Sequence, residues 1–271
     1  MSADHSAPPI ASLERIAAAH WQAADQAALG EWLLRADGGF TGRANSALPV
    51  GDPGMPLVEA VDRIGQWYLH RGLPPMIVIP GPLASAAQPP DPLDTLLAAR
   101  GWRVRSGPAV VMTAQTGAVA GRGQGADRTP GATGVPVTLA SRPDAAWLAR
   151  YHYRGMAELP ASARRLLQSA PWQAFASVED GGQTIAVGRV SVAAGWAGIT
   201  AIDVAPEHRR RGLGTALTRA LAAEAAGRGA GRVFLQVEEG NVAARALYER
   251  CGFATVHRYH YRVAPVPGAP S

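Results

Sequence analysis

The sequence predicts a mixed α/β protein made of two consecutive halves, and three observations carry that expectation. Apolar residues recur at helical spacing in some segments and run as short β-branched stretches in others, and the two kinds alternate along the chain. A glycine-crowded stretch over 114–134, almost free of bulky apolar side chains, separates the halves as a linker. Finally, Leu96-Leu-Ala-Ala-Arg-Gly-Trp102 echoes Leu247-Tyr-Glu-Arg-Cys-Gly-Phe253, each reading as a helix end, a glycine stop and an aromatic entering a strand.

The elements follow in order. Leu13, Ile16, Ala17 and Trp21 lie at helical spacing and predict a helix over 11–29, with strands over 31–35 and 43–50. A helix over 57–70, a buried-strand run at Met76–Ile79, a short helix over 93–100 and a strand over 104–112 complete the first half. The second half opens with a strand over 135–139 and helices over 145–154 and 161–169. A hairpin follows, 173–179 and 184–192 around Asp180-Gly-Gly182. A strand over 198–204 runs through Pro206 into an arginine-glycine loop and a helix over 213–226 with Leu213, Leu217 and Leu221 on one face. Strand 233–237, helix 242–250 and strand 254–263 end the pattern. The domains expected are 1–113, a linker 114–134, a second domain 135–264 and a tail 265–271.

Composition narrows the function. The 271 residues, 47% apolar, suffice for two packed cores. No apolar run reaches the roughly 18 residues of a membrane span, and Met1–Pro9 has neither a basic nor an apolar leader segment. With one cysteine, Cys251, no internal disulfide forms. The expectation is a cytoplasmic protein with no membrane partner. All 26 basic residues are arginine, which removes lysine Schiff-base chemistry and the lysine-dependent Walker A loop. Residues 1–134 hold 10 Arg against 11 Asp and Glu, and 135–271 hold 16 against 10. A positive field over the second half suits an anionic ligand. No nucleic-acid-binding motif accompanies it, so no nucleic-acid partner is expected. The seven histidines show no metal-ligand spacing; His257 and His260 fall in a predicted strand without partners, and no metal is expected.

The chemistry concentrates in Ile202-Asp-Val-Ala-Pro-Glu-His-Arg-Arg-Arg-Gly-Leu-Gly-Thr215. A strand delivers the chain into a glycine-containing loop that opens onto a helix, where backbone N–H groups form an anion site. Gly212 and Gly214 let the backbone approach a pyrophosphate, and Arg209, Arg210 and Arg211 add positive potential.

Arg209-x-x-Gly212-x-Gly214 after Val204-x-Pro206 resembles the coenzyme A pyrophosphate loop of the GNAT acetyltransferases. Leu235-x-Val237-x-x-x-Asn241-x-x-Ala244-x-x-Leu247-Tyr248-x-x-x-Gly252-Phe253 is similar to that superfamily's second coenzyme A motif. The resemblance spans about 135–263. It implies a GNAT fold, a mixed central sheet flanked by helices, with acetyl-CoA as co-substrate and direct transfer to an amine in a ternary complex. It implies that the N–H groups of Ile202, Asp203 and Val204 flank the pantetheine arm, Val204 polarising the thioester carbonyl. Arg209, Arg210, Arg211, Gly212, Leu213, Gly214 and Thr215 would hold the pyrophosphate, Asn241 the pantetheine or a nearby backbone group. Tyr248 would protonate the departing thiolate. For the base, Glu238 acting through water is preferred to Asp203, whose side chain alternates away from Ile202 and Val204; a surface or capping role for Glu238 stays open. Cys251, at a helix C-terminus, reads as packing rather than as a nucleophile.

The first half resembles a degenerate GNAT-like domain, without the arginine loop and with Leu97 facing Tyr248 in the echo. Gly39-Phe-Thr-Gly-Arg-Ala-Asn-Ser-Ala-Leu-Pro49 resembles a segment of actinobacterial two-domain GNAT proteins, some assigned as N-acetylglutamate synthases. Acceptor contacts are expected from Tyr151, Tyr153 and Arg154, with Arg164, Arg165, Arg258 and Arg262 as a carboxylate-binding wall. A small-molecule amine such as glutamate is the expected partner. A peptide or protein N-terminus, or a non-catalytic coenzyme A sensor, is the alternative.

Overall fold

The computed structural model describes residues 8–83, 89–121, 136–152, 156 and 158–265. Its elements run α1 (Ile10–His20), β1 (Asp25–Leu29), β2 (Trp32–Ala36), α2 (Leu57–Leu69), β3 (Met76–Gly81), α3 (Pro92–Ala99), β4 (Arg103–Val104), β5 (Ala109–Gln115) and α4 (Thr116–Val119). They continue with β6 (Thr138–Ala140), α5 (Ala145–Arg150), α6 (Ala161–Leu166), β7 (Trp172–Asp180), β8 (Gln183–Ala193), β9 (Trp196–Val204), α7 (Leu213–Gly227), β10 (Arg232–Glu238), α8 (Val242–Arg250) and β11 (Ala254–Val263). This is the mixed α/β architecture expected. Two compact units form: residues 1–110 with 238–240 and 256–271, and residues 111–237 with 241–255.

In the first unit, α2 packs Ala60, Val61, Ile64 and Tyr68 into a core with Trp32, Leu34, Ile77 and Ile79. β11 pairs antiparallel with β3 from Arg258↔Gly81 to Val263↔Met76, and with β4 at Arg262↔Val104. From Val256 on, the last strand therefore falls in the first unit, whereas the sequence reading placed it in the second half. Because side chains alternate along a strand, β11 uses both faces. His257 Nε2 meets Glu14 Oε1 at 2.7 Å with both groups buried. His260 Nε2 and the Arg262 guanidinium converge on Asp94 of α3, at 2.9 and 2.7 Å to Oδ1. Neither histidine lacks a partner, and Arg262 is committed to α3 rather than to an acceptor wall; sequence spacing could not show partners 243 and 166 residues away. Among the described residues no cluster of His, Cys, Asp and Glu could hold a metal ion.

The Gly39–Pro49 segment is a hydrogen-bonded core of the same unit. Asn45 Oδ1 accepts from the Asp37 and Gly39 amides while its Nδ2 donates to the Asp37 and Thr41 carbonyls. A Cβ on Gly42 would lie 2.7 Å from the Tyr261 ring, so glycine there admits β11. This segment builds a scaffold.

Three boundaries differ from expectation. The first helix stops at His20, and 25–29 instead form a hairpin with β2 around Gly30, whose φ of 56° suits the turn. The alanine-rich run is helix-prone, and strand pairing overrides that propensity. Residues 43–50 are mostly irregular, with single bridges at Ala47 and Leu48. Part of the expected linker is structured: β5 reaches Gln115, and α4 packs on α7. Residues 122–135 lie outside the described residues.

In the second unit the sheet runs β10-β9-β8-β7-β6. Tight turns join its hairpins, Gly181 and Gly182 at φ 56° and 78°, Ala194 and Gly195 at φ 50° and 74°. α7 buries Leu213, Leu217 and Leu221 on one sheet face. α5 covers the other through Trp147, which stacks edge-on against Phe175 and donates to the Ala176 carbonyl.

Candidate active site

The site begins where β9 breaks its regularity. β8 and β9 pair as Val187↔Asp203 and then Arg189↔Thr200, so β9 carries one extra residue. Ala201 takes it up at φ 57°, a left-handed conformation that costs a non-glycine residue about 1 kcal/mol. β9 and β10 pair in parallel only from Trp196↔Arg232 to Ile199↔Leu235. Beyond that, 200–204 and 236–238 diverge and leave the β9 edge open. The Ala205 amide donates to the Ile185 carbonyl on β8 at 2.8 Å. One residue earlier, the Val204 N–H therefore turns to the opposite, open edge.

The bulge also resets which way side chains point. Ile199 packs on the α7 face, and so does Ile202: a Cβ added to Gly188 would meet Ile202 Cδ1 and Leu221 Cδ1 at 2.7 and 2.9 Å. Asp203 points to the α5 face. Its Oδ2 accepts from the His152 amide at 2.9 Å and its Oδ1 from Arg150 Nη2 at 3.4 Å.

The loop after β9 is shaped for an anion. A 3-10 turn over Pro206–His208 leads to Arg209, whose Nε returns to the Val204 carbonyl at 3.1 Å. Arg210 and Gly212 are left-handed at φ 64° and 78°, so the loop turns tightly into α7. Gly212 is the N-cap of α7, and no side chain caps that helix. The three arginines are exposed around this end. Gly214 also has a packing role: a Cβ there would sit 2.7 Å from Leu247 Cδ1, so glycine lets α8 close on α7. Leu213 is buried on the sheet face of α7.

The second motif sorts likewise. Asn241 caps α8, its Oδ1 accepting from the Ala244 amide at 3.1 Å. Tyr248 is buried on α8, edge-on to Phe253 at 5.9 Å. Burial, with Cys251 alongside, pushes its phenol above the ordinary value of 10, so it holds its proton at neutral pH. Cys251 is buried and its thiol raised chiefly by desolvation, with Thr215 bonded to it, which fits packing and not nucleophilic attack. Glu238 is exposed at the end of β10 and falls with the first unit. Tyr151 is buried against Trp147 at 5.5 Å. Tyr153 and Arg154 lie outside the described residues. Arg164, Arg165 and Arg258 are exposed.

The first unit also leads a bridge and a glycine loop into a helix: Ala47 bridges Ile77 in parallel, and the loop enters α2. There the Asp52 amide donates to Glu31 Oε2 at 2.6 Å, and Trp32 Nε1 to the Gly51 carbonyl at 3.0 Å. Glu31 thus accepts a backbone amide of this loop. The echo is real at helix ends: Trp102 N–H bonds the Leu97 carbonyl at 2.9 Å and Phe253 N–H the Tyr248 carbonyl at 3.0 Å, with Gly101 and Gly252 left-handed.

The uncapped, glycine-led helix after β9 is what the sequence motif led one to expect; the split parallel pair and the bulge are added by the fold. The family profile described as "Rv0428c_C: Probable histone acetyltransferase Rv0428c C-terminal" matches residues 8–262. The chain belongs to this family. It is similar to the uncharacterized N-acetyltransferase YobR of Bacillus subtilis, 33% identical over 257 residues, 94% of this chain and 98% of that one. The probable histone acetyltransferase Rv0428c of Mycobacterium tuberculosis is 31% identical over 265 residues, 96% of this chain and 75% of that one. Among solved structures, a GCN5-related N-acetyltransferase from Kribbella flavida shares the fold at a TM-score of 0.66 and 19% identity, over 95% of this chain and 96% of that one. A tandem GNAT protein from the clavulanic acid biosynthesis pathway does so at 0.57 and 16%, over 100% and 91%. The protein is thus a GNAT N-acetyltransferase that uses acetyl-CoA. The sequence alone missed Gly188, Ala201, Arg150 and His152. The signal for the bulge was present: Ala197 and Ile199 alternate, and the next apolar partner of α7 comes at Ile202 instead of 201.

Proposed function

We propose that this acetyltransferase acetylates the primary amine of a small molecule, an amino acid such as glutamate being the first candidate, by direct attack in a ternary complex. The observation that carries the reading is the open β9 edge ending at Val204, followed directly by the uncapped N-terminus of α7. Acetyl-CoA, when bound, supplies the thioester acyl group. The 209–215 loop and α7 N-terminus fit its pyrophosphate in backbone geometry and charge. The N–H groups of Ile202 and Val204 would line the open edge, Val204 donating to the thioester oxygen as charge develops there. Tyr248, protonated at neutral pH, would return a proton to the thiolate. Asn241 would act through α8, whose first turn it holds. The first unit, with Glu31 in its loop, would bind no coenzyme A.

A protein or peptide amine is the second reading. The relatives support it by name, one as a probable histone acetyltransferase. Another, from Escherichia coli, is a ribosomal protein bS18-alanine N-acetyltransferase, 45% identical over 62 residues, 22% of this chain and 42% of that one. Calorimetry on the full chain tests the site: one equivalent of acetyl-CoA is expected. A thiol-release screen of amino acids, polyamines, aminoglycosides and peptides then tests the acceptor. Turnover of cationic amines alone would exclude a carboxylated acceptor; turnover of peptides alone would establish the second reading.

A further inference from the structure

The α7 face of the bulge is closed by Ile202 against Gly188 and Leu221, so an acceptor must reach the open β9 edge from the face that Asp203 shares with α5. On that face one carboxylate organises three groups. Asp203 Oδ2 takes the His152 amide at 2.9 Å, and its Oδ1 takes Arg150 Nη2 at 3.4 Å, with both charged side chains about as buried, 15% and 16% exposed. The same Nη2 lies 3.2 Å from His152 Nδ1. A guanidinium only donates, so in this hydrogen bond Nδ1 is the acceptor and the ring proton sits on Nε2.

An exposed histidine ordinarily keeps its rotamer freedom. His152 is exposed, yet its backbone and its ring are both tied to a single ion pair, one residue from Val204 on the strand with the open edge. Such tethering fixes an Nε2–H donor beside the path of the acceptor. A fixed neutral donor selects an oxygen, not a cation.

We propose that His152, positioned by Asp203 and Arg150, is a specificity-determining residue that donates to a carbonyl or carboxylate oxygen next to the reacting amine. The acceptor class is then an α-amino carbonyl compound, met equally by a free amino acid and by a peptide N-terminus. This rests on the transferase reading above.

The test uses the full chain, acetyl-CoA and four probes: L-glutamate, an alanine-N-terminal tripeptide, n-butylamine and spermidine. The wild type is expected to prefer glutamate or the tripeptide, which also separates those two sources. His152→Ala should raise the KM for the preferred probe by about tenfold or more, as for one lost hydrogen bond to a charged or carbonyl oxygen. Acetyl-CoA affinity and melting temperature should stay put. His152→Gln, which keeps a donor, should recover part of the loss. Asp203→Ala should also free the His152 amide in hydrogen exchange, and Asp203→Asn, which keeps an acceptor for that amide, should do so less. An unchanged KM in His152→Ala, an equal loss for all four amines, or a wild-type preference for n-butylamine or spermidine overturns the proposal alone. A wild type that binds acetyl-CoA and releases no thiol with any probe overturns the acceptor reading, and this inference with it.

Discussion

Gly188→Ala probes the bulge directly. Methyl carbons pack at about 3.5–4.0 Å, whereas the new Cβ would stand 2.7 Å from Ile202 Cδ1 and 2.9 Å from Leu221 Cδ1. Each overlap is therefore roughly 1 Å. Leu221 is fully buried and has little room, so Ile202 must yield, and it lies on the strand that carries the open edge. Overpacking of this kind costs about 1–3 kcal/mol, a fall of roughly 2–5 °C in melting temperature for a chain of this size. The geometry also specifies the rescue. Ile202→Val deletes the Cδ1 atom that clashes most, at a cost of about 0.5–1.5 kcal/mol alone. The double variant should therefore be more stable than the two single losses added, with a coupling of about 1 kcal/mol. Thermal unfolding of the four proteins measures this, and calorimetry with acetyl-CoA shows whether affinity falls in Gly188→Ala and returns in the double variant. Additive losses, or a neutral Gly188→Ala, would refute the reasoning.

Three further outcomes are expected. Tyr248→Phe should lower kcat by tenfold or more, within the roughly 10²-fold scale of general-acid loss, with acetyl-CoA affinity held; an unchanged kcat would assign the proton to water. Gly212→Ala places a Cβ at φ 78°, so it should cost about 1–2 kcal/mol and raise the acetyl-CoA Kd while leaving acceptor preference unaltered. Hydrogen bonds from Arg262 and His260 outweigh the opposing effect of burial and hold the Asp94 carboxyl below its ordinary value of 3.8. A depressed carboxyl contributes stability above its unfolded value and loses it as pH falls through the folded one. The wild type should therefore lose stability more steeply below pH 3.8 than Asp94→Asn, which should already be weaker at neutral pH; parallel acid-unfolding curves would dismiss the role.

Local chemistry made much of this enzyme legible. The loop glycine at 212, the capping asparagine at 241 and the glycine stop at 252 act within a few residues of themselves, so their sequence context suffices. Gly214 was legible as a required glycine but its packing role was not, because the atom that sets it, Leu247 Cδ1, lies 33 residues on. Arg262 read as part of an acceptor wall and His260 as a strand residue without a partner until Asp94 was in place. Position 203 shows the limit most clearly. Strict alternation correctly turned Asp203 away from Ile202 and Val204, but only the fold shows what waits on that side.

The sequence by itself determined the alternation of strands and helices, the coenzyme A motifs and the family, since hydrophobic period, turn residues and glycine placement are properties of neighbouring positions. Tertiary structure alone decided the register slip at Ala201, the assignment of β11 from Val256 on to the first unit, the hydrogen bond from that unit's loop to Glu31, and the tether on His152. Each of these depends on which backbone or side chain arrives from a distant part of the chain, and pairing across a sheet is chosen by the packing of whole faces rather than by any one segment's preference.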